Sequence, residues 1–444
     1  MRLNSLAALA HRYTERWTTG DNRRVYRYDP NLDHIRLSLT KKLTFQRLEN
    51  ILSGSDAGDL ADALALFEDM EERDSRLRSV AQTRRRAVTG LPWEVISAAE
   101  VDDIQDRELA EAVAAYCRKE LANVRYYVKG VNRGFGGALN HLATAIGPNL
   151  AVLEQVWALG RLAELIEIPS SRLTMNLRES QHVRVITQDE RAYGIAAVQP
   201  KFVVHIPESG SLSPLSKSLT RAQAWLWLIK KLALSDWATF VHLFGVPVRI
   251  GKYPSGTDKE VIEELEDMLQ NMGSSAWAVV SNAVQIEFAE SASRGLSPHQ
   301  ALMQYIDREY SIGWLGANLT SDTTGGTGTF AAASVQDEVR DDIRDEDINA
   351  EGRTVREQML RPMVRLKFGP EAPVPYFSRR TPEVIDRLKE AQLMEAAQRL
   401  GIRIPEKHAY DVLGIKVPDG KEDILTPSLE ALAADVSDGA NAFA

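Results

Sequence analysis

The chain has 444 residues, 44% hydrophobic and 26% charged, a composition that excludes wholesale disorder and allows a sizeable core in two or three domains. Its 53 basic and 62 acidic residues leave a formal charge of -9, which argues against tight coating of nucleic acid, since affinity for phosphate backbones comes mainly from Lys and Arg. The single cysteine, Cys117, excludes a disulfide framework and the Cys-rich zinc motifs, and the N-terminal apolar run is broken at His11 and Arg12, too early for a membrane span or secretory signal, so a soluble protein made in the cytoplasm is expected.

Residues 1–40 carry little periodicity and read as an arm. A short helix is expected from Thr44, a plausible N-cap, to Leu52. One long amphipathic helix should follow from Gly58 to about Arg86, with Leu60, Leu64, Leu66, Phe67, Met70, Leu77 and Val80 on its apolar face. Arg84-Arg85-Arg86 at its end reads as a solvated run favourable to the helix dipole rather than a nucleic-acid contact. Alternation from Ala87 to Ile96 predicts a strand, and Asp106–Val128 a second amphipathic helix carrying Cys117 on its buried side. Gly130–Gly137 is glycine-dense but lacks the Gly-Lys-Ser/Thr of a phosphate loop, so it reads as a turn before a helix at Ala138–Ile146.

Short apolar runs between Asn149 and Pro207 (151–157, 183–186, 193–198, 202–206) are strand-like. This part is therefore expected to be α+β, with helices packed beside a mainly antiparallel sheet. His182 and His205 are the candidate bases here. Neither has a nucleophile motif or a second His at ligand spacing, and His205 sits among Val203, Val204 and Ile206 like a core residue.

Leu219–Phe244 is apolar almost all round, so the helix it forms should be buried on several sides. Its Trp225, Trp227 and Trp237 could stack on bases, but read better as core or subunit-packing anchors. A small α/β insert follows: strands at 246–250, 276–280 and 284–288 around a helix from Lys259 to Met272, whose Glu260, Glu263, Glu264, Glu266 and Asp267 form a wet face. A return helix starts at Pro298 and runs to about Tyr310. Leu315–Phe330 is then small, polar and nearly uncharged, with nothing to hold one structure.

From Ala331 a long helix begins, with eight acids between Ser334 and Arg353. A calcium-loop reading fails because Ala350 stands where Gly is needed and Arg356 where Glu is needed. A two-metal nuclease stays open on the acids alone, without a His or Lys at helical spacing to support it. The helix should kink at Pro362 and end at Phe368. A Pro-punctuated linker, a helix from Thr381 to Leu400, a small helix at 408–413 and a disordered tail complete the chain.

Ser235-Asp236-Trp237-Ala238-Thr239-Phe240 followed by Phe244–Tyr253 resembles the signature of the Mu-like phage portal protein family. The likeness continues at Gly58-Asp59, Phe67–Asp74, Arg85–Trp93, Leu269–Ala276, Ile286–Phe288 and Leu315–Thr320, covering roughly residues 40–425. The resemblance implies an arm (1–40), a wing (41–218), a stem helix (219–244), a clip (245–290), a second stem helix (291–314), a tunnel loop (315–330), a long kinked wing helix (331–368) and a C-terminal helical region (369–425) before the tail (426–444). It implies a twelve-subunit ring at one capsid vertex that conducts double-stranded DNA during packaging and ejection, in the virion and, during assembly, in the host cytoplasm. Its partners would be the terminase large subunit, a head-tail adaptor, and the major capsid and scaffold proteins. No cofactor, metal, catalysis or membrane is implied. Within that frame Thr320, Ser321, Asp322, Thr323, Thr324, Gly325, Gly326, Thr327, Gly328 and Thr329 would touch DNA, and Asp337, Asp341 and Asp345 would line the channel. Arg249, Lys252, Tyr253, Lys259 and Glu263 would face docking partners, and the three tryptophans would pack subunits together. The rival readings are the metal-dependent nuclease and a smaller adaptor ring.

Overall fold

The computed structural model describes residues 24–29, 43–177, 182–209, 213–244, 249–254, 256–271, 277–281, 298–316, 330–381 and 387–417. The chain divides into two compact units, Met1–Arg380 and Thr381–Ala444.

Helix α1 (Phe45–Asp56) starts where Thr44 Oγ1 accepts the Arg47 N–H at 3.3 Å. Gly58, at φ +107°, then lets the chain pass close to residue 175: a Cβ there would lie 2.5 Å from the Met175 carbonyl oxygen. The single helix expected from Gly58 to Arg86 is two, α2 (Leu60–Arg73) and α3 (Ser75–Thr89). The break is Asp74, extended at φ -105° and ψ 111°, whose carboxylate caps the N–H groups of Arg76 and Leu77 and also takes the Lys230 ammonium at 2.8 and 2.9 Å. An N-cap residue that already has a buried cationic partner outcompetes continuation of the helix. The strand expected from Ala87 is confined to β1 (Trp93–Ile96).

The helix expected over 106–128 also stops early, as α4 (Arg107–Asn123), because Arg125–Val128 is needed as strand β2. β2 turns through Lys129 and Gly130, both at positive φ, into β3 (Val131–Asn132), and α5 begins at Gly134 and ends at Leu142. With β4 (Ala151–Ala158), β5 (Arg161–Glu167) and β9 (Phe202–His205) these make a five-stranded sheet of order β3-β2-β5-β4-β9. Only β2 and β5 are parallel; the other pairs are antiparallel. β6 (Leu173–Met175), β7 (Val183–Val185) and β8 (Ile195–Ala196) form a second, antiparallel sheet.

Helix α6 (Leu219–Phe244) and helix α8 (Pro298–Leu315) lie antiparallel. Three contacts fix that register: Gln223 Oε1 accepts from Trp314 Nε1 at 2.7 Å, Lys230 reaches Asp307 at 2.6 Å, and the Phe240 and His299 rings are 6.2 Å apart. Between them lies a β-α-β unit, β10 (Arg249–Tyr253), α7 (Lys259–Asn271) and β11 (Trp277–Ser281), with β10 and β11 parallel and Arg249 opposite Trp277. The strand expected at 284–288 lies outside the described residues.

Helix α9 (Phe330–Val355) runs into a π-helical turn, Arg356–Leu360, and then α10 (Arg361–Phe368). The irregularity expected at Pro362 thus falls one turn earlier, for the expected reason: a proline has no N–H and its ring crowds the carbonyl four residues back, here that of Gln358. The freed carbonyl is taken by Gln155 Nε2 at 2.9 Å. The Gln358 side chain pairs with both backbone groups of Val204, at 2.8 and 2.7 Å, and so continues the ladder at the sheet's β9 edge. β12 (Tyr376–Arg379) returns to pair antiparallel with β1. The second unit contains α11 (Arg387–Arg399) and α12 (Glu406–Leu413).

Two apolar clusters form the core. One gathers α1–α3, the second sheet and the ends of α6 and α8; the other lies among α4, α5, the five-stranded sheet and the π-turn region. His205 is in this interior, its Nδ1 2.8 Å from Thr354 Oγ1. Because that hydroxyl itself donates to the Ala350 carbonyl, the ring Nδ1 is the donor. Burial, with Arg353 and His141 nearby, pushes its pKa down to about 4.

Candidate channel and assembly surfaces

Positions 320–329, expected to touch DNA, lie outside the described residues, but the two helices that flank the segment are joined to each other and to α3. On one side α8 ends on Trp314, wholly buried, and on Gly316 at φ +67°, where a Cβ would meet Val339 and Ile343 of α9 within 2.8 Å. On the other side α9 is held by Arg84, whose guanidinium grips Asp347 at 2.8 and 2.9 Å and also donates to the Trp314 carbonyl at 3.3 Å. Arg85 lies 5.7 Å from the Trp314 ring and pairs bidentately with Glu71. The triple arginine therefore departs from the expected solvated run. Two of its three members are half-buried ion-pairing residues, and Arg84 ties α3, α8 and α9 into one junction.

The acids of α9 divide by face. Asp347 and Glu351 point inward, to Arg84 and to Arg379, the latter pair at 2.7 and 2.9 Å with both side chains buried. Burial, opposed by the Arg379 contact, raises the Glu351 pKa. Glu338, Asp341, Asp342, Asp345 and Glu346 are exposed, with a spacing that places Glu338, Asp341, Asp342 and Asp345 on one helix face. Arg344 is the cation at its margin, reaching Asp341 at 2.6 Å and Asp345 at 2.9 Å. Asp337 is on the same helix, its side chain outside the described residues. Among the described residues no group of three His, Cys, Asp or Glu side chains is arranged to hold a metal ion, and no helix is long and apolar enough to cross a membrane.

The tryptophans do not form one stacking row. Trp225 is half-buried and stacks on Phe45 at 6.2 Å and 11°; Trp227 is only 4% exposed, inside the chain's own core beneath the Lys231 ammonium; Trp237 is half-buried. The burial expected all round α6 holds only on one side of it: Ala224, Trp227, Leu228 and Ala233 are inside, while Ala222 and Leu232 are exposed. Past Ala233, Leu234, Phe240 and Val241 are exposed, as are Tyr305 and Ile312 on α8. In the β-α-β unit, Arg249 and Lys252 occupy β10 opposite Trp277 and Val280, Tyr253 ends that strand half-buried, and Lys259 and Glu263 are exposed one turn apart on α7.

The described residues thus form an α+β subunit in which an antiparallel helix pair is interrupted by a β-α-β unit and followed by a long helix. The chain is similar to a subunit from the neck of an empty gene transfer agent (GTA) particle computed with C6 symmetry, at a TM-score of 0.50 and 14% identity over 82% of this chain and 97% of that one. Residues 64–415 match the family described as the portal protein of Mu bacteriophage, and the chain belongs to that family. It is 26% identical over 397 residues to the Mu-like prophage FluMu protein gp29 of Haemophilus influenzae, covering 87% of this chain and 74% of that protein. To the portal protein of Escherichia phage Mu it is 24% identical over 392 residues, covering 86% and 73%.

Proposed function

We propose that this chain is a non-enzymatic ring subunit, twelve to a ring, that forms the portal vertex of a Mu-like virion and conducts double-stranded DNA during packaging and ejection. One observation carries the reading: α6 and α8 are buried at one end and, at the other, expose Leu234, Phe240, Val241 and Tyr305. A lone subunit leaves that apolar surface in water, whereas a closed ring covers it with the neighbouring copies. The relative from phage Mu carries the name portal protein, and twelve copies satisfy the six-fold symmetry named for the neck structure.

The exposed acids of α9 suit a wall past which DNA must slide, because a predominantly negative surface repels phosphates, and Arg344 at its margin is already held by Asp341 and Asp345. In this reading Asp337, Asp341 and Asp345 face the channel and residues 320–329 meet the DNA. The surface of α7 and β10, with Arg249, Lys252, Tyr253, Lys259 and Glu263, docks the terminase large subunit and later the head-tail adaptor. Residues 41–218 face the major capsid and scaffold proteins, and assembly takes place in the host cytoplasm.

The test is the mass of the purified protein by light scattering with end-on electron micrographs, followed by packaging with Asp337→Asn, Asp341→Asn and Asp345→Asn combined. A ring near twelve times 49.4 kDa with impaired or more salt-sensitive packaging is expected. A monomer with metal-dependent nuclease activity refutes the reading, and unimpaired packaging refutes the lining role of the acids.

A further inference from the structure

Residues Arg24–Asp29 form a short extended segment laid over buried charges. The Glu154 carboxylate of β4, fully buried, accepts the N–H groups of two successive residues, Val25 at 2.6 Å and Tyr26 at 2.7 Å, and is also paired with the buried Lys201 ammonium. Arg24 forks onto Glu164 of β5 at 2.8 and 2.9 Å. At the other end Arg172, 1% exposed, lies 5.6 Å from the Tyr26 ring centroid, donates to the Arg27 carbonyl at 3.5 Å, and donates to the Ile186 carbonyl just beyond β7 at 3.2 Å. Asp29, itself buried, meets Arg191 from the β7–β8 connection at 3.3 Å.

Val25 and Tyr26 pack on the apolar core, which is all that plain coverage of a sheet needs. Here Glu154, Lys201, Glu164 and Arg172 are charged groups taken out of water, a costly arrangement unless each is matched. Glu154 and Arg172 read the backbone of the segment and fix its path. Glu164, the cationic face of Arg172 and Arg191 read an Arg at its first position, a Tyr at its third and an Asp at its sixth. The groups come from both sheets, β4 and β5 on one side and the margins of β6–β8 on the other, so the occupant bridges them.

We infer that this face is a peptide-docking groove, and that Arg24–Asp29 occupies it as a displaceable strap joining the five-stranded and three-stranded sheets. The inference stands apart from the ring reading, since every group named belongs to one chain.

The test uses the full chain with a protease recognition sequence placed between residues 31 and 41 and cut after purification. The freed N-terminal fragment is expected to co-elute with the remainder in size exclusion. Excess synthetic Arg-Val-Tyr-Arg-Tyr-Asp should displace it, whereas the same peptide with Glu first and Ala third should not. Glu164→Arg should speed release at least about tenfold, the scale of losing a charge-assisted pair, and Arg24→Glu in the same chain should restore most of the retention. Release of the fragment from the otherwise unsubstituted protein as soon as the link is cleaved overturns the inference. So does retention that neither responds to the peptide nor is rescued by charge reversal, because that would be packing without recognition.

Discussion

Replacing Arg84 by Met removes the cation that joins α3, α8 and α9 while keeping most of the side-chain length. The Asp347 carboxylate, whose side chain is 7% exposed, loses both donors, and the Trp314 carbonyl loses a third bond. Breaking a buried pair from one side costs about 3–5 kcal/mol, since the remaining charge has no compensation. Unit 1 spans Met1–Arg380. A cooperative unit of that size unfolds with an entropy of roughly 0.8 kcal/mol per degree, so the midpoint should fall by about 4–6 °C. The assay is calorimetry at one fixed scan rate, because large chains commonly unfold irreversibly. The double variant Arg84→Met with Asp347→Leu should regain most of the loss, leaving it within about 1–2 kcal/mol of the parent, because an apolar pair of similar volume replaces the ions. A shift below about 1 °C for the single variant, or a double variant equal to the sum of the singles, would refute the view of Arg84 as the junction's tie.

For His205 the folded pKa of about 4 lies below its ordinary value, so the unfolded state takes up the proton first. Its contribution is complete above about pH 6.5 and shrinks as pH falls toward 4, by up to roughly 3 kcal/mol, and His205→Gln should flatten that slope in urea titrations at pH 7 and pH 5. Cys117 is wholly buried, and desolvation, with Glu120 adding to it, pushes its thiol up to about 12; Ellman's reagent should therefore find no thiol in the native protein and one in denaturant. Gln358→Leu strips Val204 of both backbone partners at the sheet edge, about 1–3 kcal/mol for each unpaired group, read as a lower urea midpoint and faster hydrogen exchange at Val204.

The helices were legible where one apolar face repeated without interruption, as in α4, α6 and α8, and the family was legible from ordered matches such as Ser235–Phe240. What periodicity could not supply was partner identity. Asp74 looks like one more acid on a helical surface until Lys230, 156 residues away, is placed against it. Arg125–Val128 extends the pattern of α4 well, yet becomes a strand because β5 offers it a parallel edge. The same limit applies to charge. The eight acids of α9 look alike in sequence, and only Arg84, 263 residues from Asp347, and Arg379, 28 residues from Glu351, divide the inward Asp347 and Glu351 from the exposed Asp341 and Asp345. Pro362, by contrast, acts through its own covalent geometry, and so the disturbance it causes was foreseeable to within a turn.

The long helix α6 is covered in two different ways. An all-round apolar pattern says that a helix is covered but not by what. The structure separates two kinds of cover along one helix. Up to about Ala233 the cover is internal: Gln223 binds Trp314, Trp227 is in the core, and Lys230 is held between Asp74 and Asp307. Past that ion pair α8 is the one helix alongside among the described residues, and Leu234, Phe240 and Val241 remain exposed. Polar residues at those positions would suit a lone subunit at least as well, so their apolar character requires a reason outside the single chain. In the ring proposed above, the same helix pair of a neighbouring copy would supply one. The part of α6 that periodicity describes least completely is thus the part that points to assembly.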